Sequence, residues 1–257
     1  MPRQRYHMSF PAADYEQLSS DEAYFTLRDE SGQECKIRFH DYDKLYELPG
    51  LYEQLFYDRL KCKSPEKVIG ILRHAMQEEP WLFNELRILD LGAGNGIVAE
   101  ELQKHGVARI VGSDILPAAR EAAMRDRPGL YDEYYDLDLT RPTEEQRELL
   151  QTWSFNCLVT VAALGFGDIP VRAFWEAFNL IEDGGWVAFN IKETFLDAED
   201  TSGFSLFTKN LILKSYMSLY HMERYRHRLS IEGKPLFYYG IAARKNRPIP
   251  ESVLASL

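Results

Sequence analysis

Residues Arg87–Leu102 read RILDLGAGNGIVAEEL, a stretch that changes halfway from strand to helix and carries three glycines at the change. Ile88, Leu89 and Leu91 give the near-continuous apolar run expected of a parallel strand buried on both faces. Gly92, Gly94 and Gly96 then permit a tight turn and a close approach of backbone to a ligand. Ile97, Val98 and Leu102 begin a helical stripe, so a nucleotide-like ligand is expected over the helix start. Spacing narrows the choice of nucleotide. A dinucleotide fingerprint places glycine at the first, third and sixth positions, and the sixth position counted from Gly92 is Ile97. An NAD-dependent oxidoreductase on a similar fold is therefore the weaker alternative.

The chain continues in the alternating pattern of an α/β domain. Val107–Gly112 is a second apolar strand ending in Ser113-Asp114. A carboxylate there can accept hydrogen bonds from both hydroxyls of a ribose, or it can cap the helix that begins at Pro117; the ribose reading is favoured. A short third strand, Glu133–Leu137, leads into Asp138-Leu139-Thr140. Thr143 and Gln146 carry a capping-box pattern for the next helix. Phe155–Leu164, FNCLVTVAAL, reads as the fourth strand. Asp168-Ile169-Pro170 opens a helix with Val171, Phe174, Trp175, Phe178 and Ile181 on one face. The turn Asp183-Gly184-Gly185 then gives way to a fifth strand, Trp186–Ile191.

Asp90 followed by Gly92-x-Gly94-x-Gly96, with this order of elements behind it, resembles motif I of the class I S-adenosylmethionine-dependent methyltransferases. The likeness covers roughly Leu86–Ile191. It implies a three-layer, Rossmann-like α/β sandwich around a seven-stranded, mostly parallel sheet with an antiparallel last strand. S-adenosyl-L-methionine is the implied cofactor. The same resemblance implies that the loop Gly92, Ala93, Gly94, Asn95 and Gly96 lies against the methionine part of the cofactor and that Asp90 supports its ammonium group. Asp114 with Ile115 falls at the ribose. Asp138, or Asp136 after a small shift, falls at the adenine amino group, with Leu139 packing on the ring and Ala162 closing the site at the fourth strand. That strand ends Ala162-Ala163-Leu164-Gly165, without the Asn/Asp-Pro-Pro-Tyr tetrapeptide of enzymes that methylate amide or base nitrogens. A catalytically silent binding subunit is a further alternative, disfavoured by the intact Asp90, Gly92, Gly94 and Asp114.

Around this centre, residues 1–64 read as a leader, hairpin and lid, and residues 65–257 as the methyltransferase domain. Residues 1–20 show no period and are expected to be loosely held. Glu22–Arg28 and Glu34–His40 form a hairpin across Asp29-Glu30-Ser31-Gly32. Leu51–Leu60 has helical spacing, and Ser64-Pro65-Glu66 starts the next helix. By resemblance the segment before motif I closes over the cofactor, which brings Tyr42, Tyr46, Tyr52 or Tyr57 over the sulfonium or carboxylate. Aromatic faces attract a desolvated cation by up to about 2 kcal/mol. Packing of amphipathic helices explains any one of these tyrosines equally well. Beyond the fifth strand, Lys192-Glu193-Thr194-Phe195 lies at the edge where substrates bind, Phe204–Tyr220 reads as a helix, and Tyr225–Ile231 alternates as a strand. Glu232-Gly233-Lys234-Pro235 turns the chain into a last strand, Leu236–Ala243.

Composition bounds the function. The chain has 257 residues, 45% of them hydrophobic, and a formal charge of -10, which argues against nucleic acid and for a small-molecule methyl acceptor. Cys35, Cys62 and Cys157 are far apart and odd in number, against a disulfide framework or a zinc site. The N-terminal residues MPRQRYHMSFPAADY have no apolar core, and no long apolar run follows, so a cytoplasmic protein without membrane partners or metal is expected. Nothing in the pattern specifies an oligomeric state. His227 is the candidate general base, ahead of His221 or a lid tyrosine; a strand histidine satisfied within the sheet is the alternative for it.

Overall fold

The computed structural model describes residues 5–11, 23–28, 32–164, 168–196 and 203–256. Its elements follow in chain order. An N-terminal module holds β1 (His7–Ser9), β2 (Tyr24–Arg28), β3 (Glu34–Arg38), α1 (Tyr42–Glu47) and α2 (Leu51–Glu53), the last running on into a π-turn over Gln54–Arg59. Then come α3 (Ser64–Met76), β4 (Arg87–Leu91), α4 (Ile97–Gln103), β5 (Arg109–Asp114), α5 (Pro117–Asp126), β6 (Glu133–Asp136) and α6 (Glu144–Gln151). The chain ends with β7 (Cys157–Thr160), α7 (Val171–Leu180), β8 (Trp186–Lys192), α8 (Gly203–Leu213), β9 (Met217–Leu229) and β10 (Pro235–Lys245), with short 3-10 turns between some of them.

Seven strands form one sheet in the order β6-β5-β4-β7-β8-β10-β9. Neighbours from β6 to β8 pair in parallel, and β10 is antiparallel to both β8 and β9. The Rossmann-like sandwich expected from the sequence is thus the fold. Alternation along β4 divides its side chains between two cores. Leu89 and Leu91 pack with Leu158, Val187, Phe174 and Phe207 on the α7 and α8 side. Ile88 packs with Val68, Leu72, Leu102 and Trp186 on the α3 and α4 side. The chain leaves β4 toward β5 and returns through β7 on its other flank, so the strand order reverses between β4 and β7. Crevices at such reversals are where open α/β sheets bind ligands.

Local signals account for several boundaries. Thr143 Oγ1 accepts from the Gln146 amide (3.2 Å) while Gln146 Oε1 accepts from the Thr143 amide (2.8 Å), which is the expected capping box. Elsewhere tertiary pairing overrides local pattern. The helix expected over Phe204–Tyr220 ends at Leu213, because Ser215 turns left-handed (φ 56°) and Met217 pairs with Lys245 as the first residue of β9. The fourth strand is shorter than its apolar run, since the chain leaves the sheet after Thr160 and Ala162 takes φ 57°.

The N-terminal segment is also more ordered than its sequence indicates. Met8 pairs with Leu27, so β1 joins the expected hairpin in a three-stranded antiparallel sheet. Its Phe25, Leu27 and Ile37 pack on Leu45, Leu51 and Leu55 of the following helices. Glu22 and the turn residues Asp29, Glu30 and Ser31 lie outside the described residues, as do most of the leader positions.

The α7 side of the core depends on stacked phenylalanines. Phe174 is buried and meets Phe189 and Phe207 edge-on at 5.5 and 6.0 Å. Phe174→Ala is expected to lower unfolding free energy by about 3–5 kcal/mol in urea melts, through lost burial and the cavity left behind.

Candidate active site

The glycine turn after β4 has the backbone its sequence demands. Gly92 and Gly94 take φ of 69° and 55°, in the left-handed region that other residues rarely enter. A Cβ at Gly92 would lie 2.7 Å from Ile169 Cδ1, and one at Gly94 would lie 2.5 Å from the Tyr46 hydroxyl. The turn is stitched to β5 by backbone and side chain. The amides of Gly92 and Ala93 donate to the Ser113 carbonyl (2.8 and 3.2 Å), and the Gly94 amide donates to Asp114 Oδ2 (3.0 Å). From below, the Tyr134 hydroxyl donates to the Gly94 carbonyl (2.8 Å).

A cavity of ≈ 460 Å³ opens where the strand order reverses. Gly92, Asp114, Ile115, Asp138, Leu139 and Ala162 all line it, so six of the sequence-derived cofactor residues share one wall. Asp114 Oδ2 accepts from the Gly94 amide and Oδ1 from the Leu116 amide (3.0 Å), and burial raises its carboxyl above the ordinary range. The side chain of Ile115 is 59% exposed, an apolar surface at the cavity edge. Asp138 folds Oδ1 onto Thr140, which donates from its amide (2.8 Å) and hydroxyl (2.6 Å) and holds the carboxyl below its usual pKa. Asp136 instead faces Arg120 (3.5 Å) and is absent from the cavity wall, so Asp138 is the better placed of the two.

The remaining candidates sit behind the loop. Asp90 shares the face of Ile88 by strand alternation, which aims it at the helical layer and away from the cavity wall. Its Oδ2 accepts from the Tyr131 hydroxyl (2.9 Å), and its Oδ1 is buried with no hydrogen-bond partner. Burial pushes the Asp90 carboxyl up to about 7, against the smaller opposing pull of the Tyr131 bond. Ala93 packs in the core, and Asn95 donates its amide to Glu53 Oε1 of the N-terminal module (3.2 Å). Gly96 (φ 85°) starts α4 against Tyr131 and Arg127. Arg127 completes this seam, bridging Glu53 (2.8 Å) and Glu100 (2.6 Å).

Tyr42, Tyr46 and Tyr52 from the N-terminal module line the cavity, and Tyr57 does not. Their rings form a cluster, with centroids 5.0 Å apart for Tyr46 and Tyr52 and 6.2 Å for Tyr42 and Tyr46. Burial drives all three hydroxyls above the ordinary tyrosine range, so they stay protonated at neutral pH. Two ties hold this N-terminal module against the sheet domain. Asp168, ahead of α7, meets His40 Nδ1 (3.0 Å) and accepts from the Tyr42 hydroxyl (3.3 Å), while Arg125 donates to the Tyr46 carbonyl (3.0 Å).

Ala162, Asp168, His40, Tyr42 and Tyr52 also bound a second, inner chamber of ≈ 90 Å³ whose deeper walls include Phe39, Phe56, Cys62, His227, Arg228 and Tyr238. The candidate base His227 is therefore at the inner chamber and is 6% exposed. Its Nδ1 lies 2.6 Å from Ser64 Oγ and its ring lies 4.1 Å from that of Tyr238. Burial, assisted by the Arg228 charge, holds its pKa well below the usual value, so the ring is neutral. His221 lies elsewhere, 4.7 Å from His74. His40, Asp168, Cys62 and Arg228 carry no local sequence signal. Chain segments far apart in sequence bring them together, as the separation of His40 from Asp168 illustrates.

A buried carboxylate without its second partner leaves a pH signature. Because the folded-state pKa of Asp90 is raised to about 7, its contribution is most favourable when protonated and is lost as pH rises through about 7. Asp90→Asn should raise stability at pH 8 by on the order of 2 kcal/mol, the relieved carboxylate outweighing one unpaired amide, and the gain should vanish near pH 4. Denaturant melts of the two proteins across that range read the difference.

The comparisons with known proteins bear on the family and the fold. Residues 64–230 match the family model described as a methyltransferase domain. A human relative, methyltransferase-like protein 27, is 28% identical over 157 residues, which are 56% of this chain and 60% of that protein. The chain thus aligns with about 60% of the length of the curated relative it matches. Among solved structures, a candidate RNA methyltransferase from Pyrococcus horikoshii has a TM-score of 0.51 at 12% identity, covering 70% of this chain and 83% of its own. An S-adenosylmethionine-dependent methyltransferase from Mesorhizobium loti has a TM-score of 0.47 at 18% identity, covering 67% and 96%. The chain belongs to the methyltransferase domain family.

Proposed function

We propose that this enzyme methylates a small-molecule acceptor held in the inner chamber beneath its N-terminal lid. The observation that carries this reading is the adjacency of two spaces that share five lining residues. A cavity with the residues expected of an adenosyl site meets, at Ala162, His40, Tyr42, Tyr52 and Asp168, a small chamber whose walls mix aromatic rings with the charged side chains of Asp168, Lys192 and Arg228. The formal charge of -10 counts against a polynucleotide in that position.

The chain's own groups fit the cofactor. Gly92 lets backbone close on the methionine part without a Cβ in the way, and Ser113, whose buried Oγ has no hydrogen-bond partner, lines the same cavity. Asp114 has acceptor capacity left beyond its two backbone donors and sits where ribose hydroxyls would meet it. Ile115 and Leu139 offer apolar faces to the adenine, and Asp138 Oδ2 is placed to accept from its amino group. Residues 1–64 act as the lid on a catalytic domain formed by 65–257, and Tyr42, Tyr46 and Tyr52 turn aromatic faces toward the sulfonium. Supplied by the bound cofactor, the methyl group is already electrophilic and leaves behind a neutral thioether. The protein's share is therefore to align an acceptor lone pair with that bond and to exclude water, an orientation effect that can reach several kcal/mol.

Two measurements test these roles. Asp114→Ala should weaken S-adenosylmethionine and S-adenosylhomocysteine at least ten-fold in calorimetry, equally for both, and NAD should bind neither protein. Tyr52→Leu should weaken the cationic S-adenosylmethionine more than the neutral S-adenosylhomocysteine, by up to about 2 kcal/mol. Transfer of labelled methyl to a small-molecule fraction and to no macromolecule identifies the acceptor class; label on RNA or protein alone would refute it.

A further inference from the structure

The inner chamber carries positive charge that the methyl-transfer step does not use. A β-bulge is responsible. Leu236 pairs with Arg228 and the next residue, Phe237, pairs with Arg226, so His227 is an extra residue in β9. Regular alternation would send His227 and Arg228 to opposite faces, yet both line the chamber. The bulge is held in place, since the His227 carbonyl accepts from the Lys63 amide (2.9 Å).

Arg228 is a cation without a carboxylate partner among the described residues. Its Nη1 donates to the Leu229 carbonyl (3.0 Å), and its guanidinium lies 5.8 and 6.0 Å from the rings of Phe39 and Phe56, both chamber residues. Its field reaches Tyr42, Cys62, His227 and Tyr238, which line the same space. The carboxylate on that wall, Asp168, faces His40 and Tyr42.

His227 presents a donor there, by the logic of its hydrogen bonds. The Ala162 amide donates to Asn190 Oδ1 (2.7 Å), which fixes the orientation of the Asn190 side chain. Asn190 Nδ2 must then donate, to Tyr225 Oη (2.8 Å) and Ser64 Oγ (3.3 Å). The Tyr225 proton has one remaining acceptor, Ser64 Oγ at 2.7 Å, and the Ser64 proton goes to His227 Nδ1 at 2.6 Å, a closer and stronger acceptor than the neighbouring Cys62 Sγ, itself 3.9 Å from that nitrogen. With Nδ1 accepting, the neutral imidazole carries its hydrogen on Nε2, which has no partner among the described residues. A proton on Nδ1 would instead make His227 a third donor, with Tyr225 and Asn190, onto the two lone pairs of Ser64 Oγ. This tautomer makes His227 a donor to substrate and removes it as the general base expected from sequence.

Resting on the small-molecule reading above, we propose that the inner chamber binds a carboxylate of the methyl acceptor, with Arg228 supplying the charge and His227 Nε2–H a hydrogen bond. An Arg–carboxylate pair beside a neutral donor gives both affinity and register, and fixes which end of the acceptor faces the cofactor.

Benzoate and its near-isostere benzamide, added to protein saturated with S-adenosylhomocysteine, are suitable probes for ligand-observed NMR, given the aromatic walls. Benzoate should bind at least ten-fold more tightly than benzamide, and Arg228→Gln, checked for folding by thermal melting, should bring the two within about two-fold. Nitrogen-15 histidine spectra should show His227 as the Nε2–H tautomer, its signals assigned by their loss in His227→Gln. Equal binding of the two probes, benzoate binding indifferent to Arg228→Gln, or an Nδ1–H tautomer would each overturn the proposal. Should Arg228→Gln not fold, the probe ratio and the tautomer in the unaltered protein decide. Failure of the small-molecule reading would register elsewhere, as label on macromolecules in the transfer assay.

Discussion

The bond from the Gly94 amide to the Asp114 carboxylate is the joint on which the site is built. It ties the turn after β4 to the end of β5, and it requires a backbone at Gly92 and Gly94 that residues with side chains rarely adopt. Everything that approaches the cavity does so relative to this joint. Tyr134 supports the turn from beneath, Tyr46 lies over Gly94 from above, and Ile169 closes against Gly92. The same carboxylate also accepts from the Leu116 amide, so one side chain sets the geometry of two loops.

Around that joint the molecule combines two modules with different work. The seven-stranded sheet supplies the cavity floor through strand ends, and the N-terminal module supplies the aromatic roof. Their seam is polar and charged, through Glu53, Arg127 and Asn95 on one side and His40, Tyr42 and Asp168 on the other. Such contacts hold direction as well as proximity, because buried charged groups are costly unless their partners stay in place.

Much of the fold was legible because its signals are local. Glycines at Gly92, Gly94 and Gly96, apolar runs at Ile88–Leu91 and Trp186–Ile191, and the Thr143–Gln146 cap each constrain their own segment. The strand end carrying Asp114 and the following Asp138-Leu139 were readable for the same reason. Failures occurred where distant pairing decides. Met217 continues a helical stripe in sequence but is drawn into β9 by Lys245, and the leader gains β1 by pairing with β2. The resemblance implies a place for Asp90 and Asn95 at the cofactor, and no local signal adds the neighbours that the structure gives them. Strand alternation turns Asp90 to the helical side, and Glu53, on a remote helix, takes the amide of Asn95. His227 was visible as a titratable strand residue, whereas its hydrogen-bond partners Ser64 and, through them, Asn190 could only be found in three dimensions.

The extra residue in β9 has a bearing on how such enzymes diversify. A register slip of one position near a strand end changes the electrical character of a cavity wall without touching the sheet's core or the glycine turn after β4. Insertions and deletions at that edge offer a short mutational route between charged and neutral ligands, with the scaffold's stability largely insulated from the exchange.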